Sequence, residues 1–193
     1  MESAGHARHL QPVGHAHRGA VPANTLLGAP GQALGVGVLE GFGLGYAAIY
    51  LGIAESALDF AVDYARKRIV QPENVAVSHD PNVQRHIGEL RVHLDAALLV
   101  LEHSAESWET ADLVGRGLLA AKAKYLAGEA ALDVTSKVIQ VVGGRGAYRD
   151  FPAERALRDV RTSTLMPPTP DRMLEAIGKS ALGLDTPMFT AKT

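Results

Sequence analysis

The sequence has 193 residues, of which 47% are hydrophobic and 21% are charged, and its formal net charge is −2. This length suits one ordinary domain with a sizeable core. The charge balance excludes a general nucleic-acid binder, which needs a basic excess. The absence of cysteine excludes disulfides, thiolate catalysis and cysteine-ligated zinc. We expect a cytoplasmic protein.

The first 20 residues predict a tail rather than a signal peptide, because they lack a continuous apolar core. Two histidine pairs in this tail, His6/His9 and His15/His17, could bind a metal ion. No helix or strand pattern fixes these side chains, so we favour a disordered segment with incidental histidines. We predict no metal site here.

A first long helix is predicted over residues 33–68. Its apolar residues recur at spacings of three and four, which predicts one buried face. These residues are Ile49, Ile53, Ala57, Phe60 and Tyr64. The stretch 34–53 has about the length of a bilayer crossing, but it contains Glu40 and continues without a break into an acidic stretch. We interpret it as a buried bundle helix and expect no membrane insertion.

This first helix contains many glycines, and each costs about 1 kcal/mol inside a helix relative to alanine. They are Gly35, Gly37, Gly41, Gly43 and Gly45. Close approach of another chain or domain would offset this cost. We therefore predict a homo-oligomer or a heteromer rather than a monomer.

A loop is predicted at residues 69–80, which contain Pro72 and no helical period. The second long helix then begins with Asp80 as its cap and Pro81 in its first turn, and it ends near Trp108, which we expect in the core. Spacings of four and three predict its buried face. The residues of that face are Val83, Ile87, Leu90, Leu94, Ala97 and Leu101.

The third long helix is predicted over residues 113–142, ending at Gly143 and Gly144 because glycine tolerates the left-handed turn that ends helices. Its predicted face comprises Leu118, Ala121, Tyr125, Gly128, Leu132, Thr135, Ile139 and Val142.

Two shorter helices complete the predicted fold. One covers residues 152–161, and the other begins with Thr169 as its cap and Pro170 at its first position. No strand pattern persists after residue 34. The sequence thus predicts an all-α, up-down helical bundle of three long and two shorter helices. We place this bundle at residues 35–185, with a tail and a lead-in segment at 1–34 and a second tail at 186–193.

A di-iron carboxylate bundle would share this architecture, but it needs paired Glu-x-x-His motifs facing inward. No glutamate in the sequence is followed by a histidine three residues later. His86, Glu89 and His93 share one helix face, yet neighbouring arginines indicate a solvated charged surface. We therefore predict no metal cofactor.

Residues 140–159 read QVVGGRGAYRDFPAERALRD and resemble the signature near the end of acyl-CoA dehydrogenases. The matching residues are Gln140, Gly143, Gly144, Gly146, Pro152, Glu154, Arg155, Arg158 and Asp159. Residues 63–68 resemble the family's Tyr-Ala-x-x-Arg motif, and residues 21–28 are similar to the segment that leads from its middle β-domain into its bundle. The resemblance covers residues 21–185 and leaves the family's N-terminal helical domain and nearly all of its middle domain without a counterpart.

The resemblance implies an FAD-dependent oxidoreductase of fatty acid metabolism that acts on acyl-CoA thioesters. In this family a glutamate removes the α-proton of the substrate, and a hydride passes to the flavin. Family members are commonly tetramers, in which the Gln-x-x-Gly-Gly segment of one subunit contacts the FAD of its neighbour. The cofactor-binding residues implied for this chain are Arg68, Gln140, Gly143, Gly144, Gly146 and Thr169.

The residue types are compatible with this role. Glycine backbone N–H groups beside a helix end allow close approach of a phosphate, Gln140 offers an amide, and Arg68 offers a charged fork. The alternative is that the glycines only end a helix and turn the chain.

The family's catalytic base has no counterpart at either of its known positions. Its Glu-Gly-Thr motif aligns with Pro167, Pro168 and Thr169, and the position that a minority of members use on the first helix aligns with Phe42. We call Pro167 and Phe42 the two base positions. Proline and phenylalanine cannot accept a proton, so we predict no catalytic residue and an isolated chain that is inactive.

Nearby carboxylates do not replace this base in our interpretation. Asp171 and Glu175 belong to the exposed first turns of the last helix, and Glu40 points away from Phe42 on its helix. Two further departures concern the flavin side: Gln71-Pro72 replaces the family's Phe-Gly, and Pro81 replaces a glutamine. A non-catalytic bundle that assembles with a flavoprotein partner, or a remnant of one, is therefore the alternative function.

Overall fold

The computed structural model describes residues 28–29 and 32–185, with the side chains of residues 33 and 34 excepted. The predictions for the histidine pairs and for both tails lie outside the described residues. Within them the helices are α1 (Gln32–Gly35), α2 (Val38–Lys67), α3 (Pro81–Glu106), α4 (Leu113–Val142), α5 (Pro152–Val160) and α6 (Pro170–Ala181). Three long and two shorter helices besides the single turn α1 confirm the predicted all-α bundle.

The connections contain a few short elements. Strands β1 (Ile69–Val70) and β2 (Val75–Ala76) pair antiparallel within the predicted loop. Three 3-10 turns cover Val77–His79, Gly144–Ala147 and Arg161–Thr164. The strand pair is too short to change the fold class.

The predicted first helix is interrupted near its start. Gly37 has a φ of 84°, in the left-handed region that favours glycine, and α2 begins at the next residue. The helix ends at Lys67, and the N–H of Arg68 donates to the carbonyl of Tyr64 as the backbone turns extended. The break at Gly37 was not predicted, because Gly37 was one glycine among five in an apolar run.

The predicted face of α2 lies at the edge of the face that is buried, since Ile53, Phe60 and Tyr64 pack half-buried against the core. Ile49 is 58% exposed, and of the five predicted residues only Ala57 is fully buried. The buried residues are Gly43, Ala47, Tyr50, Leu51, Ala54, Ala57, Leu58, Ala61 and Ala65, with Glu40 in the first turn. This stripe is rich in alanine, and small side chains let α2 and α4 approach closely.

Helix α3 matches its prediction. The side chain of Asp80 caps it by accepting a hydrogen bond of 2.7 Å from the N–H of Asn82. Leu90, Leu94 and Ala97 are buried, and the other three predicted residues pack against the core from its edge. Trp108 is only half-buried, contrary to the prediction, and the Arg116 guanidinium lies 5.6 Å from its ring centroid.

Helix α4 is the centre of the bundle and contacts α2, α3, α5 and α6. Buried residues therefore occupy more than the one face that the three-four spacing predicted. They include a row at spacings of three and four, namely Gly117, Ala120, Lys124, Ala127, Ala131, Val134 and Val138. Two polar residues, Lys124 and Thr135, share this buried surface.

By length and composition, α2 is the one helix in the described part of the chain that could cross a membrane. Its packing is that of a bundle helix, since its alanine stripe is buried against α4. Its outer face carries Glu55 and Asp59, whose carboxylates lie 3.4 and 3.7 Å from the guanidinium of Arg91 on α3.

Candidate functional site

The glycine segment, residues 143–146, ends α4. Gly143 has a φ of 77°, which requires glycine, and its N–H donates to the carbonyl of Ile139 at 2.8 Å. Gly146 is buried, and a Cβ placed on it would lie 3.2 Å from the Cα of Ile139. Its N–H donates to the carbonyl of Gly143 at 2.8 Å. These two glycines are therefore required by the local fold itself.

The rest of the glycine segment is open. Gly144 is exposed, and a Cβ placed on it would meet nothing within 4 Å. The N–H groups of Gly144 and Arg145 open the 3-10 turn and have no hydrogen-bond acceptor among the described residues. The side chain of Gln140 is exposed one turn earlier on α4. Three donors are thus available to an anionic ligand at this end of the bundle.

Arg68 lies just beyond the C-terminus of α2 and is exposed. It borders an open cavity of about 730 Å³ that Asp63, Tyr64 and Lys67 also line. The ring of Tyr64 lies 6.1 Å from that of Phe151, which follows the glycine segment in the chain. This contact brings the end of α2 and the loop after α4 to the same region of the bundle.

Thr169 and Pro167 lie far from the glycine segment. The carbonyls of Met166 and Pro168 accept hydrogen bonds from the Lys124 ammonium, the second at 2.7 Å. Lys124 precedes Gly143 by 19 residues of α4, which corresponds to roughly 28 Å along the helix axis. Thr169 is the N-cap residue of α6, but its side chain makes no capping hydrogen bond. The structure therefore separates Thr169 from Gln140 and the glycine segment within one chain.

The second base position lies on the same side of the bundle as the first. Phe42 is 58% exposed on α2, and Tyr46 follows it by one helical turn. The Tyr46 ring centroid lies 5.5 Å from the Lys124 ammonium, which holds the 166–168 loop. The exposed Phe42 therefore lies one turn of α2 from the contact that holds the 166–168 loop, and Leu165 adds an exposed apolar side chain just before that loop.

The buried polar groups beside this loop were not predicted. Lys124 is 1% exposed, and burial lowers its pKa to about 8. Burial also raises the pKa of Tyr50, whose ring stacks on Tyr46 and whose hydroxyl lies beside the side chain of Thr162. The available signal was a lysine within the alanine-rich face of the third predicted helix.

The nearby carboxylates are not placed to act as bases. Glu175 accepts hydrogen bonds from Lys179 at 2.7 Å and Arg172 at 3.1 Å, and these cations, Lys179 foremost, lower its pKa. Asp171 is exposed in the first turn of α6. Glu40 is buried at the start of α2, away from the exposed Phe42, and its Oε2 has no hydrogen-bond partner among the described residues.

The charged face of α3 and α4 forms ion pairs rather than a ligand set. The Nδ1 of His93 lies 2.8 Å from Asp133, and Lys137 bridges Asp133 and Glu89 at 3.3 and 3.2 Å. The hydrogen bond to Glu89 is the main cause of a raised pKa at Lys137. Within residues 28–29 and 32–185, no group of three histidines or carboxylates could bind a metal ion.

The remaining residues of the signature have structural roles on α5. Arg155 pairs with Asp159, and Arg158 pairs with Glu154, each at 3.3 Å along the helix surface. Pro152 occupies the first turn of this helix. The signature thus encodes a turn and a short helix around the glycine segment.

Comparisons with known proteins agree with this geometry. The family profile described as acyl-CoA dehydrogenase, C-terminal domain, matches residues 44–166. An acyl-CoA dehydrogenase of Bacillus subtilis is 32% identical over 169 residues, covering 84% of this chain and 42% of the relative. A dibenzothiophene monooxygenase of Rhodococcus erythropolis is 35% identical over 156 residues, covering 74% of this chain and 37% of the relative.

Solved structures show the same relationship. Butyryl-CoA dehydrogenase from Megasphaera elsdenii superposes with a TM-score of 0.74 at 27% identity, over 84% of this chain and 42% of that chain. The chain thus spans less than half the length of these relatives. It belongs to the acyl-CoA dehydrogenase family and corresponds to the C-terminal helical domain of that family.

Proposed function

We propose that this chain is the C-terminal bundle of an FAD-dependent oxidoreductase that acts on acyl-CoA thioesters in cytoplasmic fatty acid metabolism. It would work in an assembly with a segment or chain that supplies the N-terminal and middle domains. The observation that supports this most directly is the exposed Gln140 beside the unpartnered N–H groups of Gly144 and Arg145. Backbone N–H groups at a helix end suit a phosphate oxygen.

The flavin would supply the redox chemistry, and the residues of this chain would position it. Gln140 would orient the cofactor through its amide, while Gly144 and Arg145 would donate to it from the backbone. Arg68 would add positive charge from the end of α2. Gly143 and Gly146 would act by shaping the turn, since their own N–H groups are already used within the chain.

The separation within one chain favours an assembly. About 28 Å of α4 lies between the glycine segment and the 166–168 loop, so the two would face different bound molecules. We infer that the glycine segment of one copy serves a flavin whose substrate is covered by another copy or by a partner chain. The homo-oligomer or heteromer predicted above therefore remains part of this proposal.

The isolated chain would not oxidise acyl-CoA. Removal of the α-proton needs a base within about 3 Å of it, and the two base positions hold Pro167 and Phe42. Phe42 is exposed where an apolar acyl chain could contact it. The chain would thus bind and shield substrate without removing its proton.

The test is flavin retention by a reconstituted assembly. The purified chain would be mixed with FAD and a second polypeptide carrying the N-terminal and middle domains of the Bacillus subtilis relative. We expect bound flavin to elute with both chains in gel filtration and none to elute with either chain alone. Gln140→Ala should reduce retention, while Ser136→Ala, one turn earlier and equally exposed, should not. If the bundle leaves flavin retention unchanged, the chain is a non-catalytic interaction module instead.

Monooxygenation is the second candidate. The apolar base positions argue for it, because oxygenation of an apolar compound needs no α-proton abstraction, and two relatives are named dibenzothiophene monooxygenase. The reconstituted assembly distinguishes the two functions. Formation of a sulfoxide from a planar sulfur heterocycle, with reduced flavin and oxygen supplied, would favour monooxygenation. Reduction of an electron acceptor by an acyl-CoA would favour dehydrogenation.

A further inference from the structure

Lys124 is an unusual residue for the centre of a bundle. It is 1% exposed, although its immediate neighbours on the buried face of α4 are alanines. Burying an ammonium group is costly unless hydrogen bonds compensate for the lost water. Its partners are two backbone carbonyls from a single short loop, those of Met166 and Pro168.

These two carbonyls lie on either side of Pro167. The ammonium therefore holds the loop at both neighbours of one position and makes no hydrogen bond to that position itself. The ring centroid of Tyr46 on α2 lies 5.5 Å from the same ammonium, which links the loop to α2. The loop offers it carbonyl oxygens and no carboxylate.

A second connection restrains the chain just before this loop. The hydroxyl of Tyr50 lies beside the side chain of Thr162, and the ring of Tyr50 stacks on Tyr46 with centroids 6.2 Å apart. Tyr50 of α2 and Lys124 thus contact the two ends of residues 162–168. Between these anchors Leu165 is 69% exposed, so the segment has little apolar packing of its own.

We propose that Lys124 is a positioning residue that sets the place of residue 167 relative to α2 through the carbonyls on either side of it. This inference rests on the proposed function in one respect, namely that residue 167 faces the substrate. Lys124 would not touch the substrate. Its effect would be to fix the distance between the two base positions, and thereby the width of the surface between Phe42 and Pro167.

The chain has no cysteine, so Leu165→Cys creates a unique attachment site for a nitroxide spin label. The label mobility would be measured by electron paramagnetic resonance at pH 7, in the otherwise unchanged chain and with Lys124→Met. We expect at least a threefold shorter rotational correlation time when Lys124 is replaced. Lys122→Met is the matched control, because Lys122 is exposed on the same helix two residues away.

A second spin label distinguishes loosening of the 162–168 segment from loosening of the whole bundle. Leu99→Cys on α3 is 65% exposed, and its label should keep the same mobility in every variant. Lys124→Arg, which keeps a charged donor, should restore most of the immobilisation at residue 165. Equal mobility at residue 165 with and without Lys124, or equal loosening at residue 99, would overturn the proposal.

If the Lys124→Met variant fails to fold, the proposal can still be tested on a chain that keeps Lys124. In the ¹⁵N-lysine-labelled chain carrying Lys137→Arg, we expect one side-chain ammonium signal with slowly exchanging protons at pH 7. The absence of any such signal would show that Lys124 is not held by these carbonyls. None of these measurements requires flavin, so a failure of the proposed function would be seen separately, in the flavin-retention experiment.

Discussion

A Cβ placed on Gly43 of α2 would lie only 2.9 Å from the Cβ of Ala120 on α4. The two helices are therefore in backbone-level contact at this point, within one chain. This contact explains one of the five glycines that suggested close approach of a partner. Gly41 and Gly45 have nothing within 4 Å of their Cβ positions and remain available to another chain or domain.

We predict opposite effects on stability for two neighbouring glycine substitutions. Gly41→Ala should stabilise the chain by roughly 0.5–1 kcal/mol through helix propensity. Gly43→Ala should destabilise it by about 1–3 kcal/mol because α2 and α4 must move apart. Urea unfolding followed by circular dichroism measures both. The double variant Gly43→Ala/Ala120→Gly should recover most of the loss, and equal stability of the two single variants would refute this packing.

A second prediction separates structural from ligand-binding glycines. Gly146→Ala should lower the unfolding free energy, because its Cβ would lie 3.3 Å from the carbonyl oxygen of Ile139. Gly144→Ala should leave stability nearly unchanged but reduce flavin retention in the reconstituted assembly, since the methyl group obstructs close approach of a phosphate. Thermal unfolding and flavin fluorescence test the two effects. Reduced stability with Gly144→Ala would contradict the open environment of this residue.

The sequence predicted those parts of the fold that depend on local backbone chemistry. The ends of α3 and α4 follow from Asp80, Pro81 and Gly143, and large aliphatic residues correctly marked the buried face of α3. The centre of the buried face of α2 was missed because most of its core contacts come from alanines, which carry almost no periodic signal of their own. Lys124 was missed because its partner Met166 lies 42 residues away in sequence, and no local pattern encodes such a contact.

The part of the site that lies within the signature, residues 140–159, could be predicted from the sequence. Gln140 and the glycine segment stand together at the end of α4, as their spacing implied. The distance of Thr169 from them could not be inferred, because it depends on where the loop after α5 returns to α4. Whether these residues bind FAD stays a prediction.

The stability of the chain should depend on pH through Lys124. Burial lowers the pKa of this lysine to about 8, from 10.5 in an unfolded chain. Between these values the unfolded chain binds a proton that the folded chain has released, so the unfolding free energy rises with pH. The stability of the wild-type chain relative to Lys124→Met should therefore increase from pH 7.5 to pH 10. Urea unfolding at several pH values measures this difference, and a flat difference would argue against a depressed pKa. Lys122→Met, which replaces an exposed lysine of the same helix, is the control.

The last prediction concerns the missing base. In the assembly with complementary domains, Pro167→Glu should create or raise acyl-CoA dehydrogenase activity, because it places a carboxylate at the family's usual base position. Pro167→Gln is the matched control and should be no more active than the wild-type assembly, since an amide has similar size but does not accept the proton. Phe42→Glu tests the second base position in the same way. Reduction of an electron acceptor by an acyl-CoA substrate measures all three.

Activity of the wild-type assembly that is abolished by mutation of Asp171, Glu175 or Glu40 would instead reveal a base outside the two aligned positions. The geometry argues against that outcome, because Glu175 is paired with two cations, Asp171 is exposed on α6, and Glu40 is buried away from Phe42.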